Sequence, residues 1–379
     1  MILKEVDNTQ TAAEFLDVAR ELYRNDTFWV CPLDKDIKAI FDRKLNNFHS
    51  HGSCTRWVLK SDDGKLIGRI AAFINEKKAY QPKQATGGIG FFECIDNTEA
   101  ATLLFDTAQH WLAARGMKAM DGPINFGEND SFWGLLIEGF TTPSYGMNYH
   151  HSYYKKLFED YGFTVLYEQI TNHLEAKKPF PERFTKIAQW VANKPGYTFR
   201  HLEVGKLEQF AKDFAEIYND AWQDFENFVP LETQGILESF NKMKTVMDEK
   251  LIWFAYVNKE PASVIVILPD ANQMIKSFNG KLGLIEKLKF LYYRWKGVNR
   301  MRAVVMGTKK AFQKFGLESA LFIKIKEYVV PLNQYEEMEL SWVGDFNDKM
   351  LSIHEATGAT LGKKHVTLRK LFQKKRTFK

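Results

Sequence analysis

A short loop in the C-terminal half of the chain carries the clearest pattern for binding an anion. A strand-like run, VVMGT, leads through KKAFQKFG into a helix-like run, LESALF. A glycine lets the backbone approach a ligand closely, and the free N–H groups at the start of a helix bind anionic oxygens. The residues expected to form this site are Gln313, Lys314, Phe315, Gly316 and Ser319. The open alternative is that this glycine only begins an ordinary helix.

A second segment, from Gly122 to Tyr154, interleaves polar side chains with many aromatic ones. So long a loop in a compact domain is commonly functional. The residues predicted to bind an acceptor substrate are Asn125, Glu128, Asn129, His150 and Tyr154. The open alternative is that the aromatic side chains pack the junction between two halves of the chain.

These segments lie in a chain whose two halves repeat, which is a signature of duplicated domains. Glu21 in ARELYRND recurs as Glu216 in AEIYND, a shift of 195 residues. The runs TRWVLKSDDGKLIGRIAAFI and KLIWFAYVNKEPASVIVIL match at nearly the same shift, and both are typical of hairpins. We therefore predict one domain at 1–176, a proline-bracketed linker helix at 177–196 and a second domain at 197–379.

The order of elements predicts the class of fold. Each half is expected to run helix, helix, hairpin, strand, helix, strand, helix, strand, with the helix at about 98–115 matched by one at 315–329. Thr11 with Glu14, and Asp96 with Glu99, would open two of the helices of the first half. This order favours an α/β (α+β) fold in which each domain is a mixed, mostly antiparallel sheet flanked by helices.

The element order and the loop together resemble the GNAT acyltransferase superfamily, in which a QxxGxG or RxxGxG loop holds the pyrophosphate of acyl-CoA. Gln313 and Gly316 occupy that motif, whereas Glu318 stands where the family usually has glycine or alanine. A carboxylate there would repel phosphate unless it points away. Three nearby lysines partly offset its charge: Lys309, Lys310 and Lys314.

The resemblance also implies catalytic roles near the end of the second half. Asn347 and His354 precede Gly358 by eleven and four residues, the positions where the family often has asparagine and tyrosine. A histidine can reprotonate the leaving thiolate, so His354 is the candidate general acid. Backbone N–H groups near Val305 and Met306 would stabilise the oxyanion.

The first half departs further from the family pattern. Its strand GGIGFFEC reaches the next helix through IDNTEA, which contains no glycine. Phe158 and His151 hold the places of the tyrosine and the asparagine. We expect this degenerate half not to bind CoA in the usual way. Its long loop resembles that of a group of bacterial tandem GNAT proteins.

Composition narrows the remaining choices. Apolar residues make up 45% of the 379 residues and charged residues 26%, which favours a folded chain over a disordered one. The three cysteines, Cys31, Cys54 and Cys94, are too widely separated for a disulfide framework or a metal site, so no metal is expected. The N-terminus lacks the apolar core of a signal peptide, which favours the cytoplasm.

The segment 282–302 is basic and amphipathic. Such a helix can lie on an anionic membrane or cover an acyl chain, or it can be a surface helix packed on its own core. We therefore expect peripheral membrane contact through 282–302 as one of these alternatives. The formal net charge of +5 permits a nucleic acid partner but does not favour one.

The leading functional hypothesis is an N-acyltransferase that moves an acyl group, with acetyl the first choice, from acyl-CoA to an unidentified amine. The second is a tRNA-dependent aminoacyl transferase resembling the Fem family, although the helical arm common in that family is not found. The third is a ligand-binding or assembly module that has lost its chemistry, as Glu318 and the missing loop of the first half would permit.

Overall fold

The computed structural model describes residues 1–81, 83–224 and 230–372. The chain forms two compact units. The first consists of Met1–Gln169, Ile275–Leu288 and the C-terminal segment from Lys363, and the second consists of Ile170–Met274 and Lys289–Gly362. Two segments from the C-terminal half of the chain therefore belong to the first unit. A single boundary at 177–196 does not anticipate this division.

The N-terminal half of the chain alternates strands with helices. Its elements are β1 (Ile2–Glu5), α1 (Thr9–Leu22), α2 (Asp34–Phe41), β2 (Gly52–Lys60), β3 (Leu66–Asn75), α3 (Glu76–Ala79), β4 (Thr86–Cys94), α4 (Thr98–Ala113), β5 (Ala119–Gly122), β6 (Leu135–Glu138), α5 (Tyr154–Tyr161) and β7 (Thr164–Glu175).

The C-terminal half repeats this order after one additional helix, with a second additional helix following its hairpin and with no counterpart of β6. Its elements are α6 (Glu182–Ala192), β8 (Tyr197–His201), α7 (Leu207–Trp222), α8 (Thr233–Met243), β9 (Ile252–Val257), β10 (Glu260–Pro269), α9 (Asn272–Ile275), α10 (Leu284–Lys296), β11 (Arg300–Thr308), α11 (Leu317–Leu332), β12 (Glu337–Gly344), α12 (Asp348–Ala356) and β13 (Thr360–Leu371).

Each unit contains a mixed sheet. In the first unit the strand order is β1-β2-β3-β4-β5-β13, where β4 and β5 are parallel and the other neighbours are antiparallel. In the second unit the order is β7-β12-β11-β10-β9-β8, where β11 and β12 are parallel, and β11, β10, β9 and β8 are antiparallel to one another. The prediction of mixed, mostly antiparallel sheets flanked by helices is confirmed.

Both predicted hairpins form, as β2–β3 and β9–β10. Gly64 turns the first with a φ of 84°. In the second turn Asn258 and Lys259 have φ values of 49° and 73°, the left-handed conformation that a two-residue hairpin turn requires at both positions. The residues in the two turns therefore account for both hairpins.

The predicted helix caps were displaced by a few residues. Asn8, not Thr11 with Glu14, caps α1, since its side chain accepts from the Thr11 N–H at 3.0 Å. Glu14 instead accepts from Lys60 at 2.6 Å. Asn97, not Asp96, caps α4. An effective cap must reach the N–H two or three positions into the helix, and the residue directly before the first turn does so.

The predicted linker helix forms as α6 and lies within the second unit. Its buried side chains are Phe184, Ala188 and Val191, and Phe184 packs against Phe322 of α11 with ring centroids 6.3 Å apart. The segment is therefore part of the core of the second unit rather than an extended connection.

A buried ion pair lies inside the first unit. Arg69 donates to the Phe15 carbonyl at 2.7 Å and to Glu93 at 3.3 Å. Glu93 also accepts from the hydroxyls of Tyr23 and Tyr154, at 2.9 and 2.8 Å. Burial raises the pKa of Glu93, and Arg69 and the two tyrosines oppose that rise. The Glu93 carboxylate is thus paired with three donors in a buried site, while Arg69 Nε has no hydrogen-bond partner within the described residues.

Removing the Arg69 guanidinium should lower the stability of the protein. We expect Arg69→Met to lower the free energy of unfolding by about 3–5 kcal/mol, because it leaves the Glu93 carboxylate buried without its partner. Urea titration measures the loss. The matched control is Arg24→Met, which removes a surface pair with Glu21 and should cost less than about 1 kcal/mol. Equal, small losses in both variants would contradict the assignment.

Candidate functional site

The sheet of the second unit opens between its two parallel strands. Their pairing joins Arg300–Ala303 to Glu337–Leu340, after which β11 continues to Thr308 and β12 to Gly344. Directly beyond the last pair both strands become half-buried, at Val304 and Val305 on one side and at Ser341 and Trp342 on the other. The residues on either side of these pairs are buried. We call Val304–Met306 with Ser341 and Trp342 the β11–β12 opening.

A β-bulge explains why β11 leaves its neighbour. Val266 of β10 faces Val305 and Ile267 faces Ala303, so Val304 is the extra residue in β11. A bulge bends the strand that carries it and increases its twist. The bulge coincides with the end of the parallel pairing, which places the predicted oxyanion donors, Val305 and Met306, in the opening.

Side chains define the two ends of the β11–β12 opening. Arg302 donates from Nη2 to the Ser341 hydroxyl at 3.0 Å, so it bridges the two strands where they part. At the far end Gly307 lies against the Trp222 indole so closely that a Cβ there would overlap the ring. Trp222 stacks on Tyr218 with centroids 4.5 Å apart. An aromatic side chain of α7 therefore covers β11 at this point.

Sequence reasoning missed Arg302, Ser341 and Trp222. A signal for Arg302 was present, because a charged residue inside the apolar run RMRAVVMGT needs a buried partner. The position of Trp222 has no such local signal, since it depends on how α7 packs on β11.

The loop predicted to bind phosphate leads from β11 into α11. Gly316 has a φ of 70°, a left-handed conformation that favours glycine, and α11 begins directly after it. Gln313 donates from its side chain to the Thr308 carbonyl at 3.3 Å. Ser319 donates both its N–H and its hydroxyl to the Gly316 carbonyl, at 3.1 and 2.7 Å. Gln313 and Ser319 thus stabilise the loop through hydrogen bonds to nearby backbone carbonyls.

The lysines of this loop differ in their surroundings. Lys309 is buried between Glu216 and Glu260; burial lowers its pKa, but the two carboxylates raise it overall. Lys310 pairs with Asp224. Lys314 and the neighbouring Phe315 are exposed. Lys310 and Lys314 are therefore both exposed, with Lys310 paired to Asp224, whereas Glu318 is buried in the first turn of α11.

Asn347 and His354, which the family resemblance implies are catalytic, lie at the start of α12 and within it. Asn347 caps α12, accepting from the Met350 N–H at 3.2 Å. His354 is buried, and its Nδ1 lies 3.2 Å from the side-chain nitrogen of Asn172 on β7. Burial lowers the pKa of His354 to about 4, so the ring is neutral at pH 7. With Nδ1 accepting, its proton sits on Nε2. The catalytic roles of both residues stay predictions.

The five residues predicted to bind an acceptor in the first unit do not share one surface. Glu128 and Asn129 are exposed, and Glu128 pairs with Lys78 at 3.4 Å. His150 is buried and accepts from the Leu136 N–H at 3.2 Å, and burial lowers its pKa to about 3.

The other two residues of this set are also buried. Tyr154 is fully enclosed by the Glu93 group described above. Asn125 keeps a buried amide oxygen that meets no hydrogen-bond donor within the described residues. A role for any of the five residues in acceptor binding stays a prediction.

The first unit also contains a pair of parallel strands, but there the segment that follows β5 lies directly against β4. Pairing joins Thr86–Gly88 of β4 to Ala119–Asp121 of β5. Past it the Ile124 N–H donates to the Ile89 carbonyl at 2.8 Å, and a Cβ on Gly90 would overlap the Ile124 carbonyl. This close backbone contact gives a physical basis for the expectation that the first half does not bind CoA in the usual way.

Solved structures share this fold. The chain matches the tandem GNAT protein from the clavulanic acid biosynthesis pathway over 98% of both chains, with a TM-score of 0.58 and 10% identity. It matches a GCN5-related N-acetyltransferase from Sphaerobacter thermophilus over 98% of this chain and 96% of that one, with a TM-score of 0.51 and 11% identity. The fold is therefore that of a tandem GNAT protein, and the resemblance seen in the sequence is confirmed.

Curated relatives narrow the class further, although no family model matches the chain. The bacterial ceramide synthase of Caulobacter vibrioides (strain NA1000 / CB15N) is 30% identical over 356 residues, which cover 91% of each chain. Protein YghO of Escherichia coli (strain K12) is 26% identical over 358 residues, 93% of this chain and 90% of that protein. The chain belongs to the same family as the Caulobacter ceramide synthase.

The burial of His354 predicts how stability depends on pH. Its pKa is lower in the folded protein than the ordinary value of about 6.5, so the unfolded chain binds more protons and stability falls as pH drops from 6.5 towards 4. We expect His354→Gln to remove up to about 2 kcal/mol of the difference in unfolding free energy between pH 7 and pH 5. Urea titrations at the two pH values measure it.

The matched control for this prediction is His110→Gln, which changes an exposed histidine of α4 and should leave the pH dependence as in the wild type. A His354→Gln protein with the same pH dependence as this control would contradict a buried, neutral His354.

Proposed function

We propose that this protein is an N-acyltransferase that transfers a long acyl chain from CoA to the amine of a long-chain amino alcohol. The observation that carries the proposal is the β11–β12 opening, where Val304 and Val305 are half-buried in the strand that leads to a helix beginning at a glycine. The name of the Caulobacter relative supports the acceptor class, because a ceramide is a long-chain amino alcohol acylated on nitrogen.

Acyl transfer replaces a C–S bond by a C–N bond and moves one proton from nitrogen to sulfur. The amine nitrogen attacks the thioester carbonyl, the C–N bond forms, the C–S bond breaks, the nitrogen loses a proton and the thiolate gains one. A backbone N–H of Val305 or Met306 would stabilise the negative charge that develops on the carbonyl oxygen. The thiolate gains the proton that the nitrogen loses; because the ring of His354 is neutral at pH 7, its proposed role is to donate a hydrogen bond from Nε2 to the sulfur.

The anionic end of the donor is assigned to the start of α11. Lys314 offers an exposed positive charge next to Gly316, where the first N–H groups of the helix lie. The buried carboxylate of Glu318 opposes an anion at the same place, so we expect the loop to contribute less binding energy than an uncharged first turn would. Contacts of the acyl chain with apolar side chains would then supply a larger share of the affinity.

A long acyl chain is favoured over the acetyl group that the sequence alone suggested. The half-buried side chains of the β11–β12 opening include Val304, Val305 and Trp342, which are apolar. Buried apolar area stabilises binding by about 25 cal/mol per Å², so each additional methylene in contact adds affinity.

Ligand-induced stabilisation tests the proposed donor. We expect palmitoyl-CoA, held below its micelle concentration, to raise the melting temperature by a few degrees, because a ligand that binds only the native state stabilises it. Lys314→Glu should weaken binding roughly tenfold, as the change replaces attraction with repulsion. The matched control is Lys242→Glu, which reverses an exposed charge on α8 and should bind as the wild type does.

The outcomes separate the alternatives. A rise in melting temperature with acetyl-CoA but not with palmitoyl-CoA would indicate a short acyl chain instead of a long one. No rise with either thioester would overturn the proposal, and salt-dependent retention of tRNA in that case would favour aminoacyl transfer. Formation of an N-acyl product from palmitoyl-CoA and sphinganine, detected by mass spectrometry, would support the acceptor class, whereas an ester product would contradict N-acylation.

A further inference from the structure

Helix α10 presents an apolar face to solvent. Six of its large apolar side chains are more than half exposed: Leu284, Ile285, Leu288, Leu291, Tyr292 and Trp295. None of its thirteen residues is buried. We propose that this face docks on an anionic membrane surface, with α10 lying in the plane of the lipid headgroups.

The apolar residues form one continuous stripe. At about 100° per residue they fall within an arc of roughly 120° around the helix axis. Phe290 and Tyr293 lie outside the arc, on the other side, and are half-buried. Arg294 holds that side to the protein, since it donates to the carbonyls of Thr245 and Met247 at 3.0 Å each. The protein thus fixes one face of α10 and leaves the apolar face outward.

Lysines border the stripe on both edges. Lys287 lies next to one edge and Lys289 and Lys296 lie next to the other, and all three are exposed. Long basic side chains can extend from an apolar surface to headgroup phosphates while their methylene stems stay in contact with it. Trp295 and Tyr292 combine an apolar ring with a polar edge, the side chains that favour a membrane interface.

The same charges argue against a second copy of the chain as the occupant. Self-association through this stripe would place the lysines of one helix close to those of the other, and like charges repel. Anionic lipid meets both the apolar and the basic parts of the surface. Membrane docking is independent of the proposed function, because vesicle binding is measured without an acyl donor.

The length of α10 determines how it would meet the bilayer. Thirteen residues extend about 20 Å, less than the roughly 30 Å of the hydrocarbon core. Within residues 1–81, 83–224 and 230–372, no helix combines the length and the apolar character needed to cross a bilayer. The predicted cytoplasmic location stays a prediction.

Sedimentation of the full chain with vesicles tests the proposal. We expect binding to vesicles of phosphatidylglycerol and phosphatidylcholine in a 1:1 ratio, and Trp295→Glu should weaken it at least tenfold, because a charge replaces the most exposed ring of the stripe. The matched control is Trp190→Glu, at a tryptophan of α6 that is 64% exposed against 82% for Trp295. It should bind as the wild type does.

A second experiment tests whether the lysines beside the stripe contribute to vesicle binding. Changing Lys287 and Lys289 together to glutamine should weaken binding to the anionic vesicles roughly tenfold or more. The same double change at Lys242 and Lys244, exposed on and beside α8, should have no effect. Melting temperatures of all variants establish that they fold.

Three results would overturn the proposal. The first is a wild-type protein that does not bind the anionic vesicles. The second is equal binding to vesicles of pure phosphatidylcholine, which would remove the role of the lysines. The third is a concentration-dependent dimer that Trp295→Glu abolishes while vesicle binding persists, which would assign the stripe to a second copy of the chain.

Discussion

The site proposed in the second unit depends on two parallel strands that stop pairing partway along their length. Backbone N–H and C=O groups of a central strand need partners, and β11 and β12 provide them for each other only up to Ala303 and Leu340. Beyond that point the bulge at Val304 bends β11, and both strands become half-buried. We propose that a bound substrate contacts the two strands at this place.

The two sheets differ in the structure beside their parallel strand pairs. Both sheets contain a parallel pair of strands beside an irregular register, and in the first sheet Phe91 has a left-handed φ of 52° at that place. There the chain after β5 closes the gap, because Ile124 bonds to Ile89 and leaves no room for a Cβ on Gly90. In the second unit the corresponding strands part, which is why the proposed chemistry is assigned to that unit alone.

Local patterns in the sequence predicted the local structure well. The hairpins, the glycine before α11 and the repeated element order follow from turn chemistry and from the periodicity of apolar residues, and all appear in the structure. The contribution of the segment from Lys363 to the first unit could not be predicted, because strand pairing between residues so distant in sequence has no local signal. The same limit applies to the site: spacing selected His354, but its burial and its contact with Asn172 depend on tertiary packing.

The most direct test of the β11–β12 opening is amide hydrogen exchange with and without palmitoyl-CoA, followed by mass spectrometry of peptides that cover both strands. The account predicts that the ligand slows exchange in peptides containing Val304–Met306 and Ser341–Trp342, since a bound thioester would shield these backbone groups. Protection confined to peptides of the first unit, or no protection in either, would contradict it.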